Sequence, residues 1–397
     1  MKKTKKIYLY LMIFIIIYIE FGYYMIISNF LPGMIRMGIL ITITLPLLFL
    51  YRKFQFNLIL LLLYNSILIT INIIRGDFSN NILLFIPIFI GFLIASKVEI
   101  KIFIKIYNDI MYFLSCFSLL IYGINLTFPL FIQKLPYIGN VYTSIAEIHN
   151  AFFAVAITKS INIRNYGIAW EPGAFSLLIC LALFLELTNN RRFNFKYLII
   201  YIITIITTFS TVGYLFIIGI LGSIFSKEIK NKKNRKITII GFVSILIFFI
   251  YMPNSIKELV FFKLKGLFFG DLDNLSYTTR VRVNAIYYPF LAFLSSPVLG
   301  VGYEKFSEIN KLLCDGMATN TIINWFAVLG LSFGVPCLLG TYKFIKSFCK
   351  TKQITKVGFF IIFIEFLMIF STESLLRISL IYIIIFYGFS KKLQSIN

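Results

Sequence analysis

Apolar runs of 15 to 22 residues recur along this chain, and they restrict its fold more than any other feature. Each is the length a helix needs to pass through about 30 Å of hydrocarbon. The runs are continuous rather than alternating, which excludes a transmembrane β-barrel. Of the 397 residues, 59% are hydrophobic and only 14% are charged, more apolar surface than a soluble core uses. The expected fold is all-α: a polytopic transmembrane helical bundle of about 12 membrane segments, forming a single integral membrane domain over 1–397. No cleavable signal peptide is expected, because the first run, Ile7 to Ser28, is too long and lacks a small-residue cleavage site.

A formal charge of +22 would suit a nucleic-acid binder. Here, however, Lys and Arg cluster at the ends of the apolar runs. That is the positive-inside bias of a membrane protein, so no nucleic-acid partner is expected. Cys116, Cys180, Cys314, Cys337 and Cys349 are scattered, without metal-ligand spacing or an evident disulfide pairing. They read as small apolar packing residues. No metal and no cofactor are expected.

The chain opens with a lysine-rich cytoplasmic end, Met1 to Lys6. Crossings follow at about 7–28, 34–50, 57–74, 81–96 and 106–124. A first long outer loop covers about 125–170, and the chain returns at about 172–189 to Arg191, Arg192 and Lys196. Beyond an ambiguous interval, crossings at about 237–252, 321–342, 357–371 and 378–390 frame a second long outer loop at 253–320. Both termini are then cytoplasmic.

The ambiguous interval runs from Tyr197 to Ser226 and makes either one over-long helix or two short ones broken near Ser210-Thr211-Val212-Gly213. Two segments that turn back divide the 38 Lys and Arg into 25 inside and 13 outside; a single crossing gives 20 against 18. Charge therefore favours the break. A broken backbone at membrane depth must be covered by protein or line a water-filled cavity, which puts Ser210, Thr211 and Tyr214 in the interior.

Polar chemistry concentrates in the outer loops. Arg164, Gly167, Trp170, Glu171, Pro172 and Gly173 meet at one membrane boundary. Arg75, Arg164, Arg280, Arg282 and Arg377 all map to the outer side, against the topological trend. Arginine binds phosphate through a planar, permanently charged fork, so these residues are candidates for a pyrophosphate head group. Glu171 heads a helix, where the backbone dipole favours a carboxylate; it is also a candidate to orient an arginine or accept a hydroxyl proton. Thr278 to Leu294 reads as an amphipathic segment at the surface. His149 stands alone and reads as a surface loop residue, and Asp271-Leu272-Asp273 as a chance carboxylate pair. Glu20, Arg36, Glu186 and Glu365 lie in or beside apolar runs but are too scattered for a transport path.

Three stretches together resemble the O-antigen polymerase and ligase superfamily of bacterial membrane glycosyltransferases. They are Arg164…Gly167…Glu171-Pro172-Gly173…Phe175, then Phe209-Ser210-Thr211-Val212-Gly213-Tyr214, then Arg280-x-Arg282 followed by Pro297-Val298-Leu299-Gly300-Val301-Gly302-Tyr303…Phe306 and Thr319-Asn320-Thr321…Asn324…Gly330. In the ligase branch a histidine commonly precedes the asparagine that opens the last of these helices. Thr319 holds that place here, which points to the polymerase branch. The Arg and Gly ten residues apart described in polymerase loops are not matched by Arg164 and Gly173.

The resemblance implies transfer of a growing glycan from undecaprenyl pyrophosphate onto a new lipid-linked repeat unit at the outer face of the bacterial plasma membrane. The product would be O antigen, capsule or another exopolysaccharide. Arg164, Arg280 and Arg282, with Glu171, would act at the leaving group and acceptor; Arg75, Ser210, Tyr303, Asn320 and Arg377 would bind substrate. Expected partners are the lipid-linked oligosaccharide, membrane lipids, a chain-length regulator and a flippase. The rival readings are an O-antigen ligase, a lipid-linked oligosaccharide flippase and a sugar acyltransferase.

Overall fold

The computed structural model describes residues 3–23, 32–50, 64, 67, 69, 70, 74, 78–140, 146–160, 163–189, 194–228, 277–314 and 319–390. The crossing expected at 237–252, most of that at 57–74, and the Asp271-Leu272-Asp273 pair lie outside the described residues.

The described chain is mostly helical. In order it forms α1 (Lys3–Phe21), α2 (Gly33–Thr44), α3 (Leu47–Leu50), α4 (Phe78–Lys97), α5 (Ile100–Thr127) and α6 (Pro129–Ile132). Three short strands follow, β1 (Tyr137–Asn140), β2 (Glu147–Asn150) and β3 (Val155–Thr158). Then come α7 (Pro172–Asn189), α8 (Phe195–Thr208), α9 (Thr211–Glu228), α10 (Tyr277–Ser295), α11 (Tyr303–Leu313), α12 (Thr321–Thr351), α13 (Lys356–Phe370) and α14 (Ser379–Gly388). The chain divides into two compact units. One comprises 1–55, 90–217 and 390–397, the other 56–89 and 218–389.

Helices α5 and α12 are long and apolar enough to cross a membrane, and several shorter apolar helices accompany them among the described residues. Large apolar side chains stay exposed along them. Leu331, Val335 and Leu339, spaced four apart, form a stripe on α12, and Val357, Phe360, Ile361 and Ile364 do the same on α13. Contiguous apolar surface of this kind needs a non-aqueous neighbour.

In the first unit α5 is the central element. Its buried residues Phe103, Ile104, Tyr107, Met111, Leu114, Ser118, Ile121 and Asn125 recur at helical spacing and face α7 and α8. The polar groups on that face are tied to neighbours. Tyr107 donates to the Leu178 carbonyl at 3.0 Å, and Tyr201 to the Asn108 carbonyl at 2.8 Å. Asn108 donates to Glu186 at 2.9 Å, while the other Glu186 oxygen accepts the Asn194 N–H at 2.8 Å. Glu186 thus clamps the α7–α8 turn to α5.

The loop expected on the outer side at 125–170 is partly sheet, which the all-α expectation did not contain. The strands form an antiparallel meander in the order β1-β2-β3. Asn125 ties the end of α5 to the Ile157 carbonyl at 2.9 Å. His149 is buried, not a surface residue: Nδ1 lies 3.2 Å from the Leu135 carbonyl and Nε2 3.1 Å from Thr158 Oγ1.

In the second unit α12 packs against α10, α13 and α14. The segment expected to lie at the surface is the helix α10, which buries Ala285, Pro289 and Ala292 and leaves Ile286, Tyr287, Phe290, Leu291 and Leu294 exposed. From Ala285 to Leu294 it is apolar on both faces. The turn after it does not stay outside α12. Residues 297–302 exchange backbone hydrogen bonds with Ala327, Val328, Leu331 and Ser332, in the middle of the helix, around a break at Gly330 (φ 69°, ψ −171°).

Candidate functional site

The break expected at Ser210 is present. The Thr204, Thr207 and Thr208 hydroxyls bond back to carbonyls three or four residues earlier. Such bonds compete with the helix ladder and loosen its last turn. Phe209 then adopts a left-handed φ of 51°, and α9 begins two residues later. Ser210 is buried, and its Oγ accepts the Gly213 N–H at 3.3 Å, which caps α9. Tyr214 is buried and donates to the Ile206 carbonyl at 2.8 Å, bridging the break.

Arg164 is aimed at the same break. Its Nε donates to the Thr208 carbonyl at 2.9 Å and one terminal nitrogen donates to the Phe209 carbonyl at 3.1 Å. Those carbonyls end α8, where a cation complements the helix dipole. Asn165 completes the staple. Its backbone N–H donates to the Thr207 carbonyl at 2.9 Å, and Nδ2 reaches both Thr207 Oγ1 (3.0 Å) and Ser118 Oγ on α5 (3.2 Å). The loop then runs to the end of α1, where Trp170 stacks on Phe21 at 5.4 Å and the Tyr23 N–H donates to Ile168. Glu171 is exposed at the head of α7; its carbonyl accepts the Phe175 N–H at 3.2 Å. The structure therefore gives Arg164 a helix-closing partner and leaves the Glu171 carboxylate facing out.

In the second unit the structure brings two of the expected substrate-binding residues into contact. The Arg377 guanidinium carbon sits 3.9 Å from the Tyr303 ring centroid, a cation–π stack. Arg377 lies in the turn between α13 and α14, and Tyr303 opens α11. That turn is fastened to the head of α12: Thr321 Oγ1 donates to the Glu373 carbonyl and accepts the Leu375 N–H at 2.7 Å. Asn320, 4% exposed, caps α12 by accepting the Ile323 N–H at 3.1 Å. The buried Glu373 was not singled out in the sequence, and Thr321 entered only as a member of the third stretch. A Ser-Thr-Glu-Ser run in a short turn carries no signal beyond its polarity.

Arg280 and Arg282 fall in the first turns of α10. Two residues apart on a helix, their positions are about 200° apart around the axis, so they lie on different sides of it. Their side chains, and Arg75 altogether, are outside the described residues. Among the described residues Tyr303 and Arg377 touch, Asn320 caps the helix to which the Arg377 turn is bound, and Arg164 and Ser210 share the α8–α9 break. A stacked guanidinium held beside a capped helix N-terminus places fixed positive charge there, which suits an anionic ligand. Compared with known proteins, the chain matches no family model and no curated sequence.

Proposed function

We propose that this protein is a bacterial membrane glycosyltransferase that polymerises lipid-linked glycan repeat units at the outer face of the plasma membrane. The observation that supports this reading best is the Arg377–Tyr303 stack, fastened beside the capped head of a helix long enough to cross a membrane. In the proposed reaction the anomeric carbon of the growing chain leaves undecaprenyl pyrophosphate and bonds to a hydroxyl of the incoming unit. The hydroxyl proton goes to a base. Negative charge builds on the departing pyrophosphate, and fixed guanidinium groups stabilise it most where it develops. Arg280, Arg282 and Arg377 are proposed for that task. Arg164 acts by holding the α8–α9 break. About twelve membrane segments, both termini in the cytoplasm, and partnership with a flippase and a chain-length regulator belong to the same proposal.

One observation favours a transporter instead. Glu365, 7% exposed, sits within the apolar α13, and a Cβ at Gly219 of α9 would collide with its carboxylate. Ionisable groups in such places mark ion or proton paths.

The test is the size of lipid-linked glycan in cells carrying Arg377→Ala or Arg377→Lys, with membrane level of the variant confirmed. Polymerisation predicts single repeat units at the surface and loss of long chains. Long chains that persist on the lipid carrier, unattached, identify a ligase. Units trapped on the cytoplasmic side identify a flippase.

A further inference from the structure

The β2–β3 hairpin has a tip whose composition, conformation and position do not fit an aqueous loop. Residues 151–154 read Ala-Phe-Phe-Ala. Phe152 is 73% exposed and has φ 62°. Turn positions of that conformation ordinarily hold Gly, Asn or Asp. Here a bulky apolar residue takes the strain and points its ring outward.

Phe153 fixes how far the tip reaches. Its ring packs edge-on against Phe113 and Phe117 of α5 and Phe14 of α1, at 5.5, 5.6 and 5.7 Å. At 1.5 Å per residue Phe117 and Phe113 lie ~15 and ~21 Å back from Thr127, the last residue of α5. The uncharged part of α5 is 110–127, and Phe14 is central in α1. The strands therefore run back along α5, as the bond from Asn125 to Ile157 also requires, and the tip comes to lie beside the middle of the apolar run.

The amides of residues 150–153 are satisfied within the loop. Asn150 N–H donates to Pro136 (2.9 Å), Ala151 to Ala154 (2.9 Å), Phe152 to Asn150 Oδ1 (2.9 Å) and Phe153 to Ala151 (2.8 Å). The last of these closes a three-residue γ-turn centred on Phe152, an uncommon and strained turn. In water those amides would lose little by staying open; in hydrocarbon each open amide costs several kcal/mol. Exposed apolar neighbours on the same helices, Leu11, Phe113 and Leu120, extend the surface.

We propose that this hairpin tip is seated in the hydrocarbon layer and that Phe152 contacts lipid chains there. The inference rests on α5 crossing the membrane, so its test carries a control for that. Phe152→Trp and, separately, Leu120→Trp are reconstituted in phosphatidylcholine vesicles, plain or with chains brominated near the methyl end. The added fluorescence is read as the difference from the parent protein, which holds Trp170 and Trp325. Loss of the Phe152→Trp signal to brominated chains, with little loss to aqueous iodide, is the expected result. Loss to iodide alone would place the tip in water and overturn the proposal. Protection from both quenchers would overturn it too, by burying Phe152 against protein, such as a second copy. If Leu120→Trp is also untouched by bromine, the crossing of α5 fails along with the hairpin.

Discussion

Leu331 donates its backbone N–H to the carbonyl of Pro297 at 2.8 Å, across the break in α12. Ser332 N–H reaches Val298, and Val301 and Gly302 return the exchange to Ala327 and Val328. The polar groups freed by the break are thus satisfied by backbone rather than by water. Two glycines permit the approach. Gly330 has a φ/ψ combination essentially closed to other residues, and a Cβ there would collide with the Val298 carbonyl. A Cβ at Gly300 would collide with the Val328 carbonyl. Gly330→Ala and Gly300→Ala should each cost about 2–4 kcal/mol, the range for strain plus overpacking. Gly222→Ala, which meets nothing within 4 Å, should change stability by only about 0.5 kcal/mol. Thermal unfolding in one detergent compares the three; equal midpoints would show that the crossing tolerates a side chain.

Arg164→Ala removes two charge-assisted bonds from the end of α8. A loss of about 1.5–3 kcal/mol is expected, since hydrogen bonds to charged groups lie in that range. Arg164→Lys keeps the charge but not the fork that spans Thr208 and Phe209, and should recover only part of the loss. Both variants should lower the unfolding midpoint before any effect on glycan length is interpreted. Unchanged stability with abolished activity would return Arg164 to the chemistry.

What was legible in the sequence followed from strong local signals. Apolar run length announced α5 and α12, and the split of Lys and Arg favoured the break that the structure has between α8 and α9. Pro172 and Glu171 marked the start of α7 through ordinary capping chemistry. The sheet at 137–158 stayed hidden because its strands are four residues each, too short for alternation to register. His149 looked like a surface residue because burial depends on Leu135 and Thr158, which only the meander brings near it. The insertion of 297–302 into α12 was also invisible: a helix with an internal glycine reads as continuous until another segment takes up its free amides. Arg164, Ser210 and Asn320 looked like ligand groups by residue type; Ser210 and Asn320 also cap helices through local bonds three residues on, whereas the Arg164 bonds to Thr208 and Phe209 are tertiary.

Glu147 supplies a pH-dependent contact in the three-stranded sheet. Lys159 donates to it at 2.5 Å, and His149 lies 3.7 Å from its other oxygen. The Lys159 hydrogen bond and charge hold the Glu147 carboxyl below its usual 4.5. A carboxyl lowered in the folded state stabilises that state above its unfolded value, and the benefit disappears as pH falls through the folded value. Local protection of the β2 and β3 amides should therefore weaken on acidification below pH 4.5. In Lys159→Met the Glu147 titration should move up toward the ordinary value and the pH dependence of protection should flatten. Carboxyl-resolved NMR and hydrogen exchange read the two effects; an unmoved midpoint would dismiss the pair.

Tyr303 separates two ways in which Arg377 could be held. If the ring face orients the guanidinium, Tyr303→Phe keeps the stack and Tyr303→Leu removes it. A cation–π contact is worth about 0.5–2 kcal/mol, equivalent to roughly 2- to 30-fold in substrate handling. Long-chain glycan should thus be close to normal in Tyr303→Phe and shortened in Tyr303→Leu, with both proteins present at parental levels in the membrane. Arg377→Lys retains charge over the ring but cannot offer two parallel donors, so it should resemble Tyr303→Leu rather than Tyr303→Phe. If the hydroxyl does the work instead, Tyr303→Phe will be as short-chained as Tyr303→Leu while Arg377→Lys departs from both. That pattern would assign Tyr303, and not the arginine it supports, to the substrate.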